Sequence, residues 1–343
     1  MSARNLYIHV PFCAAKCPYC AFYSETFPPY ADYAELVARE LELKGFADAC
    51  WETVYIGGGT PSLIPPPSSL IPQPSEFTVE CNPADITPQY AALLAASGIT
   101  RVSVGVQSFN DDTLRFLGRR HGAATARVAV SGLRHAGLGN ISLDLIAAVP
   151  GFAESLAEAT ALGPEHISVY PLSIEPGTGF HKRGVKTLPD DRLMDELAWA
   201  EDYLAARGYT RYEISNYCKP GRECRHNLAV WQGADYAAAG PSAASRTGLE
   251  RRVNAPDARA WAESLGDGKL PPCFVETLTP DEDERERFTT GLRLASGVRP
   301  EGVERVATCE NLLKAGLMEH LGGGVYTLTR RGREVADAVA GEM

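Results

Sequence analysis

Three cysteines near the amino terminus, Cys13, Cys17 and Cys20, lie within eight residues in the stretch PFCAAKCPYCAFYS. The next two cysteines, Cys50 and Cys81, do not supply the separated second pair that a structural zinc site commonly uses. Cysteine thiolates are the usual ligands of iron–sulfur clusters, and a cubane held by three of them leaves one iron open. The C-x3-C-x2-C spacing therefore predicts a 4Fe–4S cluster that takes a further ligand from outside the chain.

Polar residues stand at or near the ends of three apolar segments further along the chain. Glu80 lies in VECNP, Gln107 in GVQSF and Asp144 in SLDLI. A glycine run, GGGTP at 57–61, follows another such segment, and its glycines would let the backbone approach a ligand that the Thr60 hydroxyl could bind. Barrel folds place their ligands at the carboxyl ends of strands. These positions predict one pocket, although a tight turn or strand-end caps would give the same residue types.

The elements that must position these residues alternate between strand and helix. Segments with helical spacing and glycine at or near their ends occur at 30–46, 86–98 and 123–137. This alternation is typical of parallel βα units, in a barrel or a doubly wound sheet, and periodicity does not decide between the two. The predicted strands are 6–10, 54–59, 77–81, 101–108, 141–149 and 166–174.

Two regions interrupt the alternation. The segment 65–75, where a helix is due, carries five prolines, so we expect a shortened surface loop. After residue 217 the pattern becomes rich in glycine and isolated polar residues, which predicts a loop region that carries a site. The final part reads as helix, helix, glycine-turn hairpin and helix, a small winged-helix-like unit. We expect two domains, 1–245 and 246–343.

Composition narrows the function classes. The 343 residues include 33 basic and 43 acidic side chains, a formal charge of −10, and no basic run interleaved with aromatic residues. Nucleic acid is therefore not expected as a partner, and the winged-helix-like unit is expected to have a structural or lid role. There is no leader-like segment and no run of about 18 apolar residues, so we expect a soluble, cytoplasmic protein without a transmembrane segment.

The cysteine spacing after a first strand resembles that of the radical S-adenosylmethionine (SAM) enzymes. In that superfamily the open iron binds the amino and carboxylate groups of SAM, and the cofactor supplies radical chemistry once the cluster is reduced. Together with GGGTP, VECNP and GVQSF, the stretches YIHVPFC, LGRRH, YPLSIEPGTGF and YEISNY resemble the oxygen-independent coproporphyrinogen III dehydrogenases and the HemW-type haem chaperones related to them. The resemblance is strong from residue 5 to about 245 and weaker beyond.

This resemblance implies a fold and a set of site residues. The fold is an α/β incomplete parallel (β/α) barrel, open on one side, with a small helical C-terminal domain. Cys13, Cys17 and Cys20 are implied as the cluster ligands. The implied SAM contacts are Tyr7, Tyr19, Gly58, Gly59, Thr60, Glu80, Gln107, Arg119 and Asp144.

The dehydrogenase and chaperone branches differ in motifs that can be compared with this chain. The dehydrogenases carry a fourth cysteine two residues after the third, where Phe22 stands here after Ala21. They also have an extension before the first strand, for which a strand beginning by Leu6 leaves no room. The chaperones carry a His-Asn-x-x-Tyr-Trp motif. HNLAVW at 226–231 matches three of its four defined residues, with Val230 in place of the tyrosine.

The motif points to haem. A neutral imidazole is a common axial ligand of haem iron, so His226 is the candidate ligand and Trp231 a candidate contact with the macrocycle. A lone histidine in a loop is more often a surface residue, and the motif is what favours His226. Cys218 and Cys224 stay open as alternative ligands.

We therefore expect a haem chaperone that binds a 4Fe–4S cluster, SAM and haem and delivers haem to a client protein, with no catalytic residue assigned. The alternative is an oxygen-independent coproporphyrinogen III dehydrogenase of porphyrin biosynthesis. A third interpretation is a family member whose cluster is only structural.

Overall fold

The protein is described by a computed structural model, which covers residues 3–67, 71 and 73–343. Its centre is a sheet of six parallel strands that follow one another in chain order. The predicted strands all form, with ends that differ by at most three residues. The strands are β1 (Asn5–Val10), β2 (Thr53–Gly58), β3 (Glu76–Cys81), β4 (Arg101–Gln107), β5 (Ile141–Ala147) and β6 (His166–Pro171).

Helices connect these strands, and the described part of the connection between β2 and β3 contains a single short 3₁₀ turn, Pro61–Leu63. There, residues 65–67, 71 and 73–75 belong to no helix or strand, as predicted, while 68–70 and 72 lie outside the described residues. The three predicted helices form as α1, α2 and α4. The helices of this part are α1 (Tyr33–Leu43), α2 (Pro88–Ala96), α3 (Asp111–Phe116), α4 (Ala123–His135), α5 (Phe152–Ala161), α6 (Gly179–Lys182) and α7 (Asp190–Ala205).

The parallel strands alternate between an apolar face and a polar face. In β4, Val102, Val104 and Val106 are fully buried in the main hydrophobic core. The intervening residues Arg101, Ser103, Gly105 and Gln107 instead line a cavity enclosed by the sheet. Successive strand residues point to opposite faces, so the polar set comes together on the inner face. The barrel interior is therefore a polar cavity, and the apolar face packs against the rest of the core.

The sheet does not close. Beyond β6 it continues antiparallel through β8 (Asn216–Cys218) to β7 (Thr210–Arg211). On the other side β9 (Tyr236–Ala239) pairs parallel with β1, followed by antiparallel strands β10 (Ala244–Thr247), β11 (Glu250–Asn254) and β12 (Cys273–Thr277). The twelve described strands run from β12 at one end to β7 at the other. This confirms the incomplete barrel.

The prediction of a loop region after residue 217 is wrong in part. This region contains a helix, α8 (Arg225–Trp231), and the strands β9 and β10. The Glu76 carboxylate accepts hydrogen bonds from the backbone N–H groups of Arg225 and His226, each at 3.0 Å. It thereby satisfies donors that the first turn of α8 leaves free. Glu76 lies about 150 residues earlier in the chain, so no local pattern could show this cap.

The C-terminal part forms a second, smaller core around residues such as Phe288, Cys309 and Tyr326. Its order of helix, helix, hairpin and helix confirms the winged-helix-like prediction, and the hairpin turns at Gly323 and Gly324 with positive φ. The remaining elements are α9 (Ala258–Gly266), α10 (Pro280–Gly291), α11 (Val303–Lys314), β13 (Met318–Gly322), β14 (Val325–Leu328), α12 (Arg330–Glu334) and α13 (Ala336–Gly341).

The division at 245/246 stays a prediction. That boundary falls inside β10, and the main sheet continues to Thr277, whereas the second core begins with Phe288. No helix within the described ranges combines the length and the apolar character needed to cross a membrane.

Candidate functional site

The three clustered cysteines lie in the loop that follows β1. Cys13 N–H donates to the Glu25 carbonyl (2.8 Å), and Glu25 N–H donates to the Pro11 carbonyl (2.6 Å). These bonds bring the far end of the loop back beside β1. Inside the loop, Cys20 N–H donates to the Cys17 carbonyl (3.1 Å), which closes a tight turn. The loop is thereby fixed by backbone bonds that do not depend on a bound group.

Two neighbouring side chains donate hydrogen bonds to the cysteine sulfurs. The Thr60 hydroxyl lies 3.3 Å from Cys13 Sγ, and Arg119 Nη1 lies 3.7 Å from Cys17 Sγ. Such outer contacts orient thiolate ligands and stabilise their charge. No three His, Cys, Asp or Glu side chains within the described ranges converge on a single ion. Since each thiolate of a cubane binds a different iron, a half-buried, half-open set of this kind fits a cluster.

The glycine run after β2 packs directly on the cysteine loop. Gly58 has φ +111, and a Cβ there would lie 2.8 Å from the His9 ring. A Cβ on Gly59 would lie 2.7 Å from the Phe12 carbonyl oxygen. Both glycines are therefore needed to hold the loop against β1 and β2. The sequence predicted them as ligand contacts, and the structure shows this packing requirement as well.

The larger cavity has a volume of about 680 Å³ and opens at the carboxyl ends of the parallel strands. It brings together nine of the residues that the sequence predicted for the cluster and cofactor. These are Tyr19, Cys20, Gly58, Gly59, Thr60, Glu80, Gln107, Arg119 and Asp144.

Two buried carboxylates stand in this cavity. Glu80 accepts hydrogen bonds from the Tyr55 hydroxyl (2.8 Å) and Gly58 N–H (3.2 Å), and burial raises its pKa to about 7. Asp144 accepts from the Ser103 hydroxyl (3.0 Å) and the Ser142 hydroxyl (3.3 Å), and burial raises its pKa as well. Both side chains are thus held in place and offer oxygen atoms to hydroxyl or amino groups of a ligand.

Gln107 and Arg119 occupy the rim beside the cysteine loop. Gln107 has φ 67, a left-handed conformation that residues other than glycine seldom adopt, at the point where the β4–β5 register shifts. Strain of this kind is often found at ligand sites. Arg119 Nη2 donates to the Gly105 carbonyl (2.7 Å), which fixes its guanidinium between the strand end and Cys17.

A smaller cavity of about 480 Å³ adjoins the larger one, and seven of the eighteen residues that line it are aromatic. It contains all of the HNLAVW motif residues that were singled out: His226, Asn227, Val230 and Trp231. Tyr7, predicted as a SAM contact, lines this smaller cavity and not the larger one. Its assignment to SAM stays a prediction. The aromatic lining consists of Tyr7, Phe22, Tyr23, Tyr55, Tyr170, Trp231 and Tyr236.

The motif residues sit on α8. His226 is buried, its Nδ1 lies 2.9 Å from Thr53 Oγ1, and burial lowers its pKa to about 4. The imidazole is therefore neutral near pH 7. Trp231 carries the Arg293 guanidinium over its ring, 4.5 Å from the centroid. Its buried indole Nε1 has no hydrogen-bond partner in the described part of the chain.

The alternative haem ligands are less well placed. Cys218 and Cys224 are buried, and neither lines either cavity. Burial raises the pKa of each thiol to about 12, so both are protonated near pH 7. His226 is therefore the better placed of the three candidates.

The two cavities share a wall that sequence reasoning missed. It is formed by Phe22, Tyr55, Glu80, Tyr170, Asn216 and Asn227. The sequence had singled out Glu80 and Asn227 as site or motif residues, and Phe22 only as the residue in the place of the dehydrogenases' fourth cysteine. The alternation of polar and apolar residues along the strands was the available signal, because Tyr55 and Tyr170 occupy inner-face positions of β2 and β6.

Several known proteins are similar to this chain in sequence. The Radical SAM superfamily model matches residues 7–162. Heme chaperone HemW of Mycobacterium tuberculosis is 34% identical, over 98% of this chain and 93% of that protein. The HemW proteins of Escherichia coli (32% identical, 94% and 91% covered) and Bacillus subtilis (31% identical, 99% and 100% covered) are also similar.

The solved structures support the fold. Coproporphyrinogen III oxidase (HemN) from Escherichia coli, described as a radical SAM enzyme, matches with a TM-score of 0.81 and covers 99% of this chain and 90% of its own. Its sequence identity is 20%, so this likeness shows the fold alone. The curated relatives, by contrast, exceed 30% identity over nearly the whole chain. The chain belongs to the HemW family of the radical SAM superfamily.

Proposed function

We propose that this protein is a haem chaperone that binds haem through His226 in the smaller cavity and delivers it to a client protein. The Cys13, Cys17 and Cys20 loop holds the 4Fe–4S cluster, and the larger cavity holds SAM beside it. The relatives' printed name, heme chaperone, supports the haem part of this proposal. The superfamily match supports the cluster and SAM.

The hydrogen bonds around His226 carry the proposal. Asn5 Nδ2 donates to the Asp235 carbonyl (3.1 Å), so Asn5 Oδ1 is the acceptor for the Thr53 hydroxyl (2.8 Å). The Thr53 hydroxyl has one proton and gives it to Asn5, and therefore it accepts from His226 Nδ1–H (2.9 Å). His226 is thus a neutral imidazole with its proton on Nδ1. Its Nε2 lone pair is left for a metal ligand bond.

The other histidine of the smaller cavity is not available in the same way. His9 Nε2–H donates to the Tyr23 carbonyl (3.1 Å), and His9 Nδ1 accepts from the Tyr7 hydroxyl (3.2 Å). Both of its ring nitrogens are occupied. Of the two imidazoles that line this cavity, His226 is therefore the one suited to bind iron.

The lining of the smaller cavity supports a large aromatic ligand with polar edges. Aromatic side chains provide contact area for a macrocycle. The buried Trp231 Nε1 and Arg293 Nε both lack a hydrogen-bond partner in the described ranges. Buried donors of this kind are normally satisfied, so they favour a ligand that accepts hydrogen bonds here.

In the larger cavity, this chain's residues bind and orient the cofactor. Glu80, Gln107 and Asp144 offer acceptors and donors to the polar groups of SAM, and the glycine backbone of 57–59 permits close approach. Bound together, cluster and SAM supply one-electron chemistry at the open iron. The protein's contribution is to fix their positions and to limit the access of water.

We also place the protein in the cytoplasm. Its nine cysteines are all free thiols in the structure. A reducing compartment keeps such thiols available as cluster ligands. Detection of the tagged protein mainly in the periplasmic or membrane fraction of a bacterial host would contradict this placement.

Haem titration tests the function. Purified protein should bind haem with a saturating Soret band near one equivalent, and His226→Ala should shift or abolish that band because iron loses its nitrogen ligand. Cys218→Ala is the matched control and should keep the wild-type spectrum. An unchanged spectrum in His226→Ala would reject His226. Turnover of coproporphyrinogen III by the reconstituted protein would favour the dehydrogenase alternative instead.

A further inference from the structure

One buried guanidinium inside the barrel has unsatisfied N–H groups. Arg101, the first residue of β4, is only 2% exposed, yet its Nε and Nη1 atoms form no hydrogen bond in the described part of the chain. No carboxylate in that part of the chain lies at ion-pair distance from its guanidinium. Arg101 nevertheless lines the 680 Å³ cavity. The carboxylates of Glu76, Glu80 and Asp144 interact with this charge electrostatically but do not accept hydrogen bonds from it. Buried N–H groups without acceptors are costly, so a carboxylate from outside the chain that accepts from them would be stabilising.

The neighbouring carboxylates do not take this role. Glu80 is held by Tyr55 and Gly58, and Asp144 is held by Ser103 and Ser142. Glu76 is committed to the N-terminus of α8 through Arg225 and His226 N–H. Each of these carboxylates therefore has its own donors. The guanidinium, by contrast, has two nitrogens whose hydrogen bonds remain open.

Arg101 also lies close to the proposed iron site. It interacts electrostatically with Glu76, whose carboxylate accepts the His226 backbone N–H at 3.0 Å. Asn216 and Asn227 line both cavities. The two cavities thus adjoin along shared residues, and Arg101 lines the larger one, toward which a ligand held at His226 would extend a side group.

We propose that Arg101 binds a propionate carboxylate of the haem, which extends from the smaller cavity into the larger one. The fork of a guanidinium matches a carboxylate in two parallel hydrogen bonds. This inference rests on the proposed haem site and adds an anchor that fixes how the macrocycle lies in it. The methionine part of SAM also carries a carboxylate that a guanidinium could bind. The test distinguishes that carboxylate from the haem propionate.

The test compares haem with its dimethyl ester, which lacks the charged carboxylates. Wild-type protein should bind the ester roughly tenfold or more weakly than haem, because a charged buried hydrogen bond is lost. Arg101→Met should bind haem and ester about equally, and Arg101→Lys should recover part of the difference. Far-ultraviolet circular dichroism and thermal melting check that each variant is folded.

Four outcomes would overturn the inference. Wild-type protein that binds ester as tightly as haem excludes a propionate anchor without any variant. An acid–ester difference that survives in Arg101→Met but disappears in the matched control Arg293→Met places the propionate at Arg293. An Arg101→Met protein that loses affinity for SAM but not for decarboxylated SAM assigns the carboxylate to SAM. Failure of wild-type protein to bind haem at all rejects the proposed function itself and is distinguishable from the other three.

Discussion

The two cavities differ in how the chain builds them. The larger one is formed mostly by the inner faces and carboxyl ends of β2 to β6, with glycines, serines and carboxylates as its lining. The smaller one is assembled where later elements, α8, β9 and Arg293, close against β1 and β2. Parallel strands alone thus supply a site for a polar cofactor. An aromatic site needs residues from the middle and end of the chain.

The difference extends to charge. The larger cavity contains two buried carboxylates and two guanidinium groups, and hydrogen bonds hold Glu80, Asp144 and Arg119 in place. In the smaller cavity the residue proposed to bind iron, His226, is an imidazole that burial keeps neutral. One cavity therefore suits a zwitterionic molecule, and the other suits a metal in an aromatic macrocycle. Four predictions test whether the two act as separate sites.

The largest effect is expected at the cysteine loop. Cys17→Ser should remove the cluster and with it SAM binding, because two thiolates seldom hold a cubane. Iron and sulfide content and the visible spectrum measure this loss. Haem binding at His226 should persist, and the exposed Cys50, replaced by Ala, is the control that should keep the cluster. Retained iron and sulfide in Cys17→Ser would refute the ligand assignment.

The second effect is expected in the pH dependence of the free energy of unfolding, and its source is Glu80 in the shared wall. The pKa of Glu80 is raised from 4.5 to about 7 in the folded protein. Its stabilising contribution is therefore complete below about pH 4.5 and is lost as pH rises through 7, by up to about 3 kcal/mol. Denaturant unfolding of wild type and Glu80→Gln between pH 5 and 8 measures this. The opposite contribution of His226, whose pKa is lowered, is common to both proteins. Equal pH slopes in the two would contradict the prediction.

A matched pair of substitutions comes next. Asp144 lines only the larger cavity and Trp231 only the smaller one. Asp144→Ala should weaken SAM binding by about 1–3 kcal/mol and leave haem affinity unchanged. Trp231→Ala should weaken haem binding by about 1 kcal/mol without moving the Soret band, because contact area and not a coordinate bond is lost. Calorimetry and haem titration measure both. A reversed pattern would show that the cavities are wrongly assigned.

The smallest effect is expected at Thr53. Thr53→Val removes the acceptor that fixes the His226 Nδ1 proton and should weaken haem binding by about 1 kcal/mol, with a changed Soret band. Thr53→Ser restores the hydroxyl and should recover both affinity and spectrum. If the serine and valine variants behave alike, Thr53 acts only through packing.

Much of the fold could be predicted, because β1 to β6 are short apolar segments with helical spacing between them. The helix α8 was missed, since its first turn is capped by Glu76 from a distant strand. The alanine-rich β9 was missed because pairing with β1, and not its own composition, makes it a strand.

The site was predicted less evenly. The cluster ligands follow from cysteine spacing, but Gly58, Arg119 and most SAM contacts came from the resemblance. Arg101 was not noticed, although RVSVGVQ alternates polar and apolar residues along β4. Burial without a partner is a property of the folded structure, and no sequence pattern reports it. The left-handed φ of Gln107 is equally invisible before folding.

The wall formed by Phe22, Tyr55, Glu80, Tyr170, Asn216 and Asn227 has a thermodynamic consequence. Any ligand that shifts Tyr55 or Glu80 in one cavity changes the free energy of binding in the other. Linkage requires this coupling to be reciprocal: if SAM alters the affinity for haem by some factor, haem alters the affinity for SAM by the same factor. Phe22, which is 70% exposed and touches both cavities, is the wall residue most free to move in response. A ligand that moves this shared wall in one cavity therefore changes the affinity of the other cavity for its own ligand.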